Sequence, residues 1–157
     1  MFDSELDRID RKILGFLQQH GRASNLELAE VAGLSPAQCH RRHHRLEQEG
    51  FIARYETRLN SYRVGLNVVA FIHVTMEKGH IRDLSKFTDV IVALPEIQEC
   101  YSVTGDFDYV VKVITSDLKA LSLFLMEKLM RLPGVSGVRS SVCLDEIKCT
   151  SSLPLPE

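Results

Sequence analysis

The stretch SNLELAEVAGLSPAQCHRRHHRLEQEG, residues 24–50, decides the fold of the first third of the chain. Ser24 is followed three residues later by Glu27, a pattern that caps the start of a helix because each side chain can bind the other residue's backbone amide. Gly33 ends this helix. Ser35-Pro36-Ala37-Gln38 then starts another, with proline at the first helical position, where its missing N–H costs nothing. Two helices joined by a tight glycine turn predict a helix-turn-helix.

A helix upstream and an alternating segment downstream complete this unit. Apolar residues recur at helical spacing from Asp7 to Gln19, and Gly50 ends the third helix. Phe51-Ile52 and residues 55–59 then alternate like a small hairpin or wing. A plain three-helix bundle without a role in DNA binding is the alternative interpretation.

Arginines gather on the third helix. The chain has 19 Lys+Arg and 21 Asp+Glu, a net charge of -2, which excludes binding to nucleic acid through a strongly basic tail. Gln38, Arg41, Arg42 and Arg45 nevertheless follow the i, i+3, i+4, i+7 spacing of one helical face, as insertion into a major groove requires. The predicted DNA-binding residues are Ser35, Pro36, Gln38, Arg41, Arg42, Arg45, Arg54 and Arg58.

The second part of the chain has a different periodicity. Strands are predicted at 68–76, 97–104, 108–114 and 135–147, and helices at 81–94 and 117–132. The order βαββαβ predicts a ferredoxin-like α+β domain with its helices on one face of the sheet. We therefore expect a winged helix-turn-helix DNA-binding domain at 1–60 and a ferredoxin-like effector-binding and oligomerisation domain at 61–157.

Two features of this second part bear on assembly and order. The last helix is apolar on two sides, which predicts that its outer stripe contacts a partner subunit. That stripe consists of Leu123, Phe124, Met126 and Met130. The final residues SSLPLPE, 151–157, are expected to be loosely ordered.

Catalytic and metal-binding patterns are weak. Asp106 and Asp108 could form a catalytic pair, because alternate residues of a strand point the same way. No third group orients them, however, so a binding role is favoured. His40 and His44 are spaced to chelate a metal ion, but on a helix face predicted to bind DNA, phosphate contact or packing is favoured. No enzyme activity, metal or cofactor is expected.

The rest of the composition bears on the compartment. Four cysteines lie far apart, which indicates free thiols in a reducing cytoplasm. No apolar stretch is long enough to span a membrane, and the acidic, polar start of the chain does not resemble an export signal. A cytoplasmic location is therefore expected.

Several motifs follow one another in a fixed order. They are LDRIDRKIL at 6–14, GRASNLELA at 21–29, GLSP at 33–36 with Arg42 and Leu46-Glu47, GFI at 50–52, EIQEC at 96–100, TGDFDY at 104–109 and LPGV at 132–135. Together they resemble the Lrp/AsnC, or feast/famine, family of transcription regulators. The resemblance implies a winged helix-turn-helix, an amino-acid-sensing ferredoxin-like domain, and dimers that assemble into rings, commonly octamers. His43 departs from the family, which usually has an aliphatic residue there, so its ring must find a polar partner or reach solvent.

The resemblance also implies that the effector binds between dimers, near the turn at 104–108. Gly105 lets the backbone approach a ligand, turn amides can hold a carboxylate, and Asp106 or Asp108 can pair with an ammonium group. The predicted effector-binding residues are Tyr101, Val103, Thr104, Gly105, Asp106, Phe107, Asp108, Arg139 and Ser141. The turn has no spare cationic or amide side chain, so aliphatic amino acids are favoured, with leucine first by resemblance and methionine next.

The predicted function is thus sequence-specific regulation of transcription in response to an amino acid. Two alternatives remain at this point. One is a nucleoid-organising protein that wraps DNA with little effector response. The other is a small ferredoxin-like enzyme with an accessory helical domain.

Overall fold

The structure, a computed structural model, describes residues 6–77 and 84–156, and the side chains of all of these except residues 84–86. It divides into two compact units. The first runs up to Arg58 and also includes the segment from Lys148 onward, and the second is Leu59–Ile147. The structure therefore groups the last residues with the first unit, whereas the sequence analysis placed them in the second domain.

The first unit is built on three helices. They are α1, Arg8–Gln19; α2, Asn25–Ala32; and α3, Pro36–Gln48. Each begins with a capping box, in which Asp7, Ser24 or Ser35 exchanges hydrogen bonds with the third residue of its helix. The core side chains, Ile13, Leu14, Leu17, Leu28, Ala29, Ala32, Cys39 and Leu46, form one buried cluster. The predicted boundaries of all three helices are confirmed to within one or two residues.

The turn between α2 and α3 depends on Gly33. Its φ of 70° lies in the left-handed region, which glycine adopts without the strain that a Cβ would cause. The amide of Leu34 then donates to the carbonyl of Ala29 at 2.9 Å and closes the end of α2. This turn sets the direction in which α3 leaves α2.

The predicted hairpin after α3 is not formed. Residues 53–60 have no regular secondary structure and are all exposed. A two-stranded hairpin is marginally stable unless one face packs against something. The alternation at 55–59 has no such face to bury, so the expectation of a β-wing was wrong.

The C-terminal segment 148–156, called here the C-terminal strap, packs on the first unit. Leu155 contacts the apolar core. The side chain of Gln18 donates to the carbonyl of Leu153 at 3.1 Å and accepts from its amide at 2.5 Å. The expectation of a loosely ordered tail was therefore wrong for the described part of it. A partly buried leucine and two hydrogen bonds to the backbone of Leu153 attach this segment, and composition alone did not reveal them.

The second unit is a four-stranded antiparallel sheet. Its strands are β1, Val68–Met76; β2, Ile97–Ser102; β3, Tyr109–Thr115; and β4, Val135–Val142, in the order β2-β3-β1-β4. Helices α4, Leu84–Ala93, and α5, Leu118–Leu123, complete the ferredoxin-like arrangement, and a short 3-10 turn, Tyr62–Val64, precedes β1. The core joins alternate residues of β1 and β3 to Phe87, Phe124 and Leu129. The predicted fold class is confirmed.

Two elements of this unit differ from the predictions by more than two residues; β2 ends two residues early, and the predicted helix start at 81–83 lies outside the described residues. Beyond α5 the expected single helix continues as a π-helical segment, Phe124–Lys128, and a 3-10 turn, Leu129–Arg131. Strand β4 ends at Val142 rather than at residue 147, although the amide of Cys143 still donates to the carbonyl of Val69. Because β1 begins at Val68, residues 145–147 would lie beyond the end of β1 in this register.

The apolar outer stripe also needs a correction. Phe124 is only 3% exposed, because it lies three residues after buried Leu121 and therefore on the same helical face. Leu123, Met126 and Met130 remain more than half exposed, as does Leu118. Phe124 thus belongs to the core, and the other three predicted residues stay on the surface. No helix in the described ranges is long and apolar enough to cross a membrane.

Candidate DNA-binding surface and effector turn

A buried carboxylate fixes α3 against α1. Asp10 is fully buried and accepts hydrogen bonds from Arg42 at 2.9 Å and from Arg45 at 2.5 Å. Arg42 also donates to Asp7 at 2.6 Å. A charged group is tolerated in the interior only when well-oriented partners compensate for the hydration it loses on burial. Two of the arginines predicted to face DNA are therefore also the contacts that hold the helix in place.

These ion pairs were not predicted from the sequence. Gln38, Arg41, Arg42 and Arg45 were treated as one DNA-facing side of the helix, yet one helical step of three residues from the buried Cys39 brings Arg42 beside the core. The partner acids lie on a different helix, more than thirty residues earlier in the chain. The signal that could have found them was Asp10 itself, an acidic residue in line with Ile13, Leu14 and Leu17 on the apolar face of α1.

The outer face of α3 is a shallow basic groove. It is lined by His40, Arg41, Arg42, His44, Arg45 and Gln48. Arg41 is exposed, and no residue in the described part of the chain makes an ion pair or hydrogen bond with its side chain. Arg42 and Arg45 are less accessible, with side chains 29% and 41% exposed. Arg41 is thus the arginine of this helix that is available to a ligand.

The first turn of α3 positions three further predicted residues. Ser35 is the N-cap and Pro36 occupies the first turn, and both are exposed. The side-chain oxygen of Gln38 accepts from the hydroxyl of Ser35 at 3.0 Å, which leaves its amide nitrogen to donate outward. Ser35, Pro36 and Gln38 are thus exposed together at the start of α3, and Arg41 follows Gln38 by three residues on the same helical face.

The last two predicted DNA-binding residues, Arg54 and Arg58, lie in the irregular segment after α3. Arg54 pairs with Glu56, two residues later. Arg58 donates to the carbonyl of Cys149 in the C-terminal strap at 2.7 Å. Both cations are already engaged within the chain, so the structure does not bring them into the groove on α3.

His43 has found polar partners at both ring nitrogens. Nδ1 lies 3.0 Å from the side-chain oxygen of Asn25, and Nε2 lies 2.6 Å from the hydroxyl of Tyr55. That hydroxyl in turn donates to Glu47 at 2.8 Å. Partial burial, with Glu47 nearby, raises the pKa of Tyr55 to about 12, and the Tyr55 hydrogen bond lowers the pKa of Glu47. The residue that departs from the family pattern is thus satisfied by a network joining α2, α3 and the following segment.

The turn at residues 104–108, which the sequence predicts to bind the effector, lies between β2 and β3. Gly105 has a φ of 122°, outside the range that other residues adopt easily. The amide of Val103 donates to the carbonyl of Asp108 at 2.9 Å and closes the turn. The side chain of Asp108 accepts from the amide of Met76 at 2.7 Å and so attaches the turn to β1.

The two aspartates of this turn therefore differ. Asp108 is used in the fold, whereas Asp106 is exposed and has no hydrogen bond or ion pair with any residue that the structure describes. Thr104 is also exposed. Tyr101 donates to Glu99 at 2.9 Å, and that hydrogen bond raises the pKa of Tyr101. Asp106 is the carboxylate available to a ligand.

One residue near the turn was missed by sequence reasoning. The ring of His73 lies 4.7 Å from that of Phe107, and the Arg139 guanidinium lies 5.3 Å from the Phe107 centroid. His73 and Arg139 are register partners on β1 and β4. Nδ1 of His73 is buried and has no hydrogen-bond partner in the described part of the chain. Strand alternation alone could have placed His73 on the sheet face away from the helices, but not beside Phe107.

Ser141 lies further along the same sheet face. It is exposed and pairs in register with Phe71, two residues from the His73–Arg139 pair. The sheet therefore brings Phe107 and Arg139 together, with Ser141 one step away on β4. No group of three or more His, Cys, Asp and Glu side chains in residues 6–77 and 84–156 could hold a metal ion.

A helix-turn-helix with a basic recognition helix, joined to a ferredoxin-like domain with a polar turn, defines the class of ligand-responsive transcription regulators. Family models agree: the AsnC-type helix-turn-helix domain matches residues 6–47, and the Lrp/AsnC ligand binding domain matches residues 69–153. The chain is 42% identical over 149 residues to the leucine-responsive regulatory protein of Escherichia coli K12, covering 95% of this chain and 91% of the relative. It belongs to the Lrp/AsnC family, which consists of transcription regulators rather than enzymes.

Solved structures give the same result. A transcriptional regulator of Neisseria meningitidis in complex with L-methionine superposes with a TM-score of 0.92 at 38% identity, covering 96% of this chain and 97% of that one. A feast or famine regulatory protein from M. tuberculosis complexed with L-methionine gives a TM-score of 0.86 at 31% identity, covering 95% and 99%. The likeness extends over both units of the chain.

Proposed function

We propose that this regulator reads DNA with the exposed side of α3 that carries Arg41. The observation that carries the proposal is an exposed arginine, without a partner among the described residues, on a helix that Arg42 and Arg45 attach to the buried Asp10. Arginine binds guanine edges through two parallel hydrogen bonds, each such pair being worth about 1–3 kcal/mol of discrimination. Ser35, Pro36 and Gln38 border the contact, and Arg42 and Arg45 reach phosphates with their exposed atoms.

We further propose that Arg54 and Arg58 bind phosphates flanking this contact. Each would exchange an internal partner, Glu56 or the carbonyl of Cys149, for a phosphate oxygen. Because one contact replaces another, their contribution is smaller than that of an unpaired cation. The DNA complex therefore depends more on Arg41 than on either of them.

The proposed effector is an aliphatic amino acid, leucine or methionine, at the Gly105 turn. The names of the relatives support this choice, since one is leucine-responsive and two structures hold L-methionine. Asp106 binds the ammonium group and turn amides bind the carboxylate. Tyr101, Val103, Thr104 and Phe107 shape the site from the turn, while Asp108 supports it through β1. Arg139 and Ser141 contribute from β4.

We also propose that the protein acts in the cytoplasm as a homo-oligomer, with dimers assembling into an octamer. Exposed Leu123, Met126 and Met130 supply apolar contact area beside the π-helical segment. The effector binds between dimers and shifts the assembly, which it can do only if it prefers one assembly over another.

The test for DNA binding compares Arg41→Ala with Lys119→Ala, an exposed lysine of the second unit. Binding is measured on a duplex selected from a random pool and on an unselected one. We expect Arg41→Ala to lose roughly tenfold or more on the selected duplex and much less on the other. Equal affinity of both variants for the selected duplex would refute the assignment of α3 as the reading helix.

The test for the effector is calorimetry with leucine, methionine and asparagine on three proteins. The unaltered protein should bind leucine and methionine with overlapping affinities, because a pocket separates similar apolar side chains by only about 1–3 kcal/mol. Asp106→Ala should lose binding while keeping its melting temperature. Asp108→Ala should lower the melting temperature, because it leaves the Met76 amide without its acceptor. Leucine binding unchanged in Asp106→Ala would contradict the proposed site.

A further inference from the structure

A second basic surface lies on α1. Arg8, Arg11 and Lys12 are spaced i, i+3, i+4, so their side chains project from one face of the helix. We call these three residues the α1 ridge. The only acidic residue of α1, Asp10, is buried on the other side and neutralised by two arginines of α3. The outward face of α1 therefore carries three positive charges and no negative one.

The ridge cations have no partner within the described ranges. Among the residues that the structure describes, none makes an ion pair or hydrogen bond with the side chains of Arg8, Arg11 or Lys12. In addition, Nε of Arg11 is shielded from solvent and has no hydrogen-bond partner in that part of the chain. Elsewhere in the chain Arg54 and Arg131 have carboxylate partners. The ridge thus holds charge that no side chain in residues 6–77 and 84–156 neutralises.

The surroundings of the ridge suit an extended anion. Gln18 and Gln19 continue the groove along α1, and the C-terminal strap forms its wall through Ser152, Leu153, Leu155 and Pro156. None of these strap residues is charged. The groove is open rather than enclosed, which excludes a tightly enveloped small molecule and favours a linear polyanion.

We propose that the α1 ridge binds backbone phosphates of a DNA segment other than the one that faces α3. A helix turns about 100° per residue, so the ridge lies roughly opposite Asp10, the residue through which α1 contacts α3. The duplex in contact with α3 therefore does not lie against the ridge. Duplex DNA carries one charge per about 1.7 Å of axis, which is dense enough for all three cations to contact phosphates. This inference rests on the proposed DNA-binding function.

The experiment uses the full chain and a triple variant, Arg8→Gln/Arg11→Gln/Lys12→Gln. A matched control, Arg63→Gln/Lys119→Gln/Arg131→Gln, removes the same charge from exposed positions of the second unit. Affinity is measured against salt concentration on two duplexes. One is a selected site of about 20 bp, roughly two helical turns. The other carries the same site within DNA about three times longer.

On the long duplex, the ridge variant should show a salt slope lower than that of the unaltered protein by up to about three, since each phosphate contact contributes about one. On the short duplex it should match the control. An Arg8→Lys/Arg11→Lys variant keeps the charge and should keep the slope of the unaltered protein.

A ridge variant that matches the control on both duplexes would overturn the inference. So would an equal loss on both duplexes, which would place the ridge on the segment that α3 reads. A change in assembly size without DNA, at unchanged salt slope, would indicate an acidic protein surface instead and also overturn it. Failure of the unaltered protein to bind the selected site would refute the proposed function itself, which the short duplex reports separately.

Discussion

Because Asp10 is buried and paired with arginines of α3, two neighbouring arginines of that helix should differ in their effect on stability. Replacing Arg42 by alanine should destabilise the protein, whereas replacing its neighbour Arg41 should not. Arg42 binds two carboxylates and is 29% exposed, while Arg41 is exposed and has no partner in the described residues. Surface substitutions without partners usually change stability by less than about 0.5 kcal/mol.

The magnitude follows from the two contacts that Arg42 makes. A hydrogen bond to a charged group contributes about 1.5–3 kcal/mol, and the bond to Asp10 lies in the interior. The bond to Asp7, whose side chain is 48% exposed, is screened by solvent and contributes at most about 1 kcal/mol. Asp10 keeps Arg45 in this variant, so its charge is not left unpaired. We expect Arg42→Ala to lower the free energy of unfolding by about 2 kcal/mol.

The effect of Asp10→Asn on stability should change sign when both Arg42 and Arg45 are replaced. In Arg42→Ala/Arg45→Ala the buried carboxylate loses both partners, which costs about 3–5 kcal/mol or more and exceeds the sum of the single losses. Asp10→Asn should then destabilise the unaltered protein, because it removes two charged hydrogen bonds, yet stabilise the double variant, because it removes an uncompensated buried charge.

The assay is urea unfolding followed by far-ultraviolet circular dichroism, with the slope against urea checked for constancy. Arg41→Ala serves as the control for loss of an α3 arginine. A strictly additive double variant, or an Asp10→Asn substitution that destabilises both backgrounds equally, would refute the role assigned to the buried carboxylate.

Three further predictions concern other parts of the chain. The pKa of Tyr55 is held at about 12 in the folded protein, above its ordinary value of 10.0. Because the unfolded chain loses this proton first, the free energy of unfolding should fall as pH rises between these two values. Tyr55→Phe should remove this pH dependence, which is measured by unfolding at several alkaline pH values. Phe124→Glu should prevent folding because it buries an unpaired charge, whereas Met126→Glu, at a 62% exposed site, should stay folded and lower the assembly size in light scattering; a folded Phe124→Glu would contradict this. Leu155→Ala should lower the free energy of unfolding by about 1 kcal/mol, because Leu155 packs on the apolar core. Leu153→Ala should leave it unchanged, because the Leu153 side chain is 69% exposed. Equal effects of the two variants in urea titrations would contradict the packing of the C-terminal strap.

The features that were predicted correctly depend on residues close together in the sequence. The N-caps Ser24 and Ser35 were predicted because a capping box involves residues three positions apart, and Gly33 was predicted as the turn between the two helices. The strand β1 was predicted with its observed bounds, since alternation reports which side chains are buried. The wing failed for the opposite reason, because a hairpin needs a surface to pack on, and that surface cannot be read from the hairpin's own residues.

The candidate sites show the same difference between features set by neighbouring residues, which were predicted, and contacts between distant residues, which were not. The sequence predicted an arginine-rich α3 and a polar turn at Gly105, but not which of their charges would be available. Asp10 and Arg42 lie 32 residues apart in sequence, as do Met76 and Asp108. These contacts leave Arg41 and Asp106 as the accessible charges. His73 was missed because its neighbours Phe107 and Arg139 come from the turn at 104–108 and from β4, both distant in sequence.

The C-terminal strap has a consequence for the order in which the molecule forms. The contact between Gln18 and Leu153 closes a loop of 135 residues, which contains the whole second unit. During synthesis, the DNA-binding unit is therefore completed only after residues 59–147 have been made. Each doubling of a flexible loop costs about 0.6 kcal/mol in entropy, and folding of the second unit shortens the flexible part more than twofold. A folded second unit thus favours docking of the strap by on the order of 1 kcal/mol. Unfolding of the second unit would therefore weaken the attachment of the strap to the DNA-binding unit by the same amount.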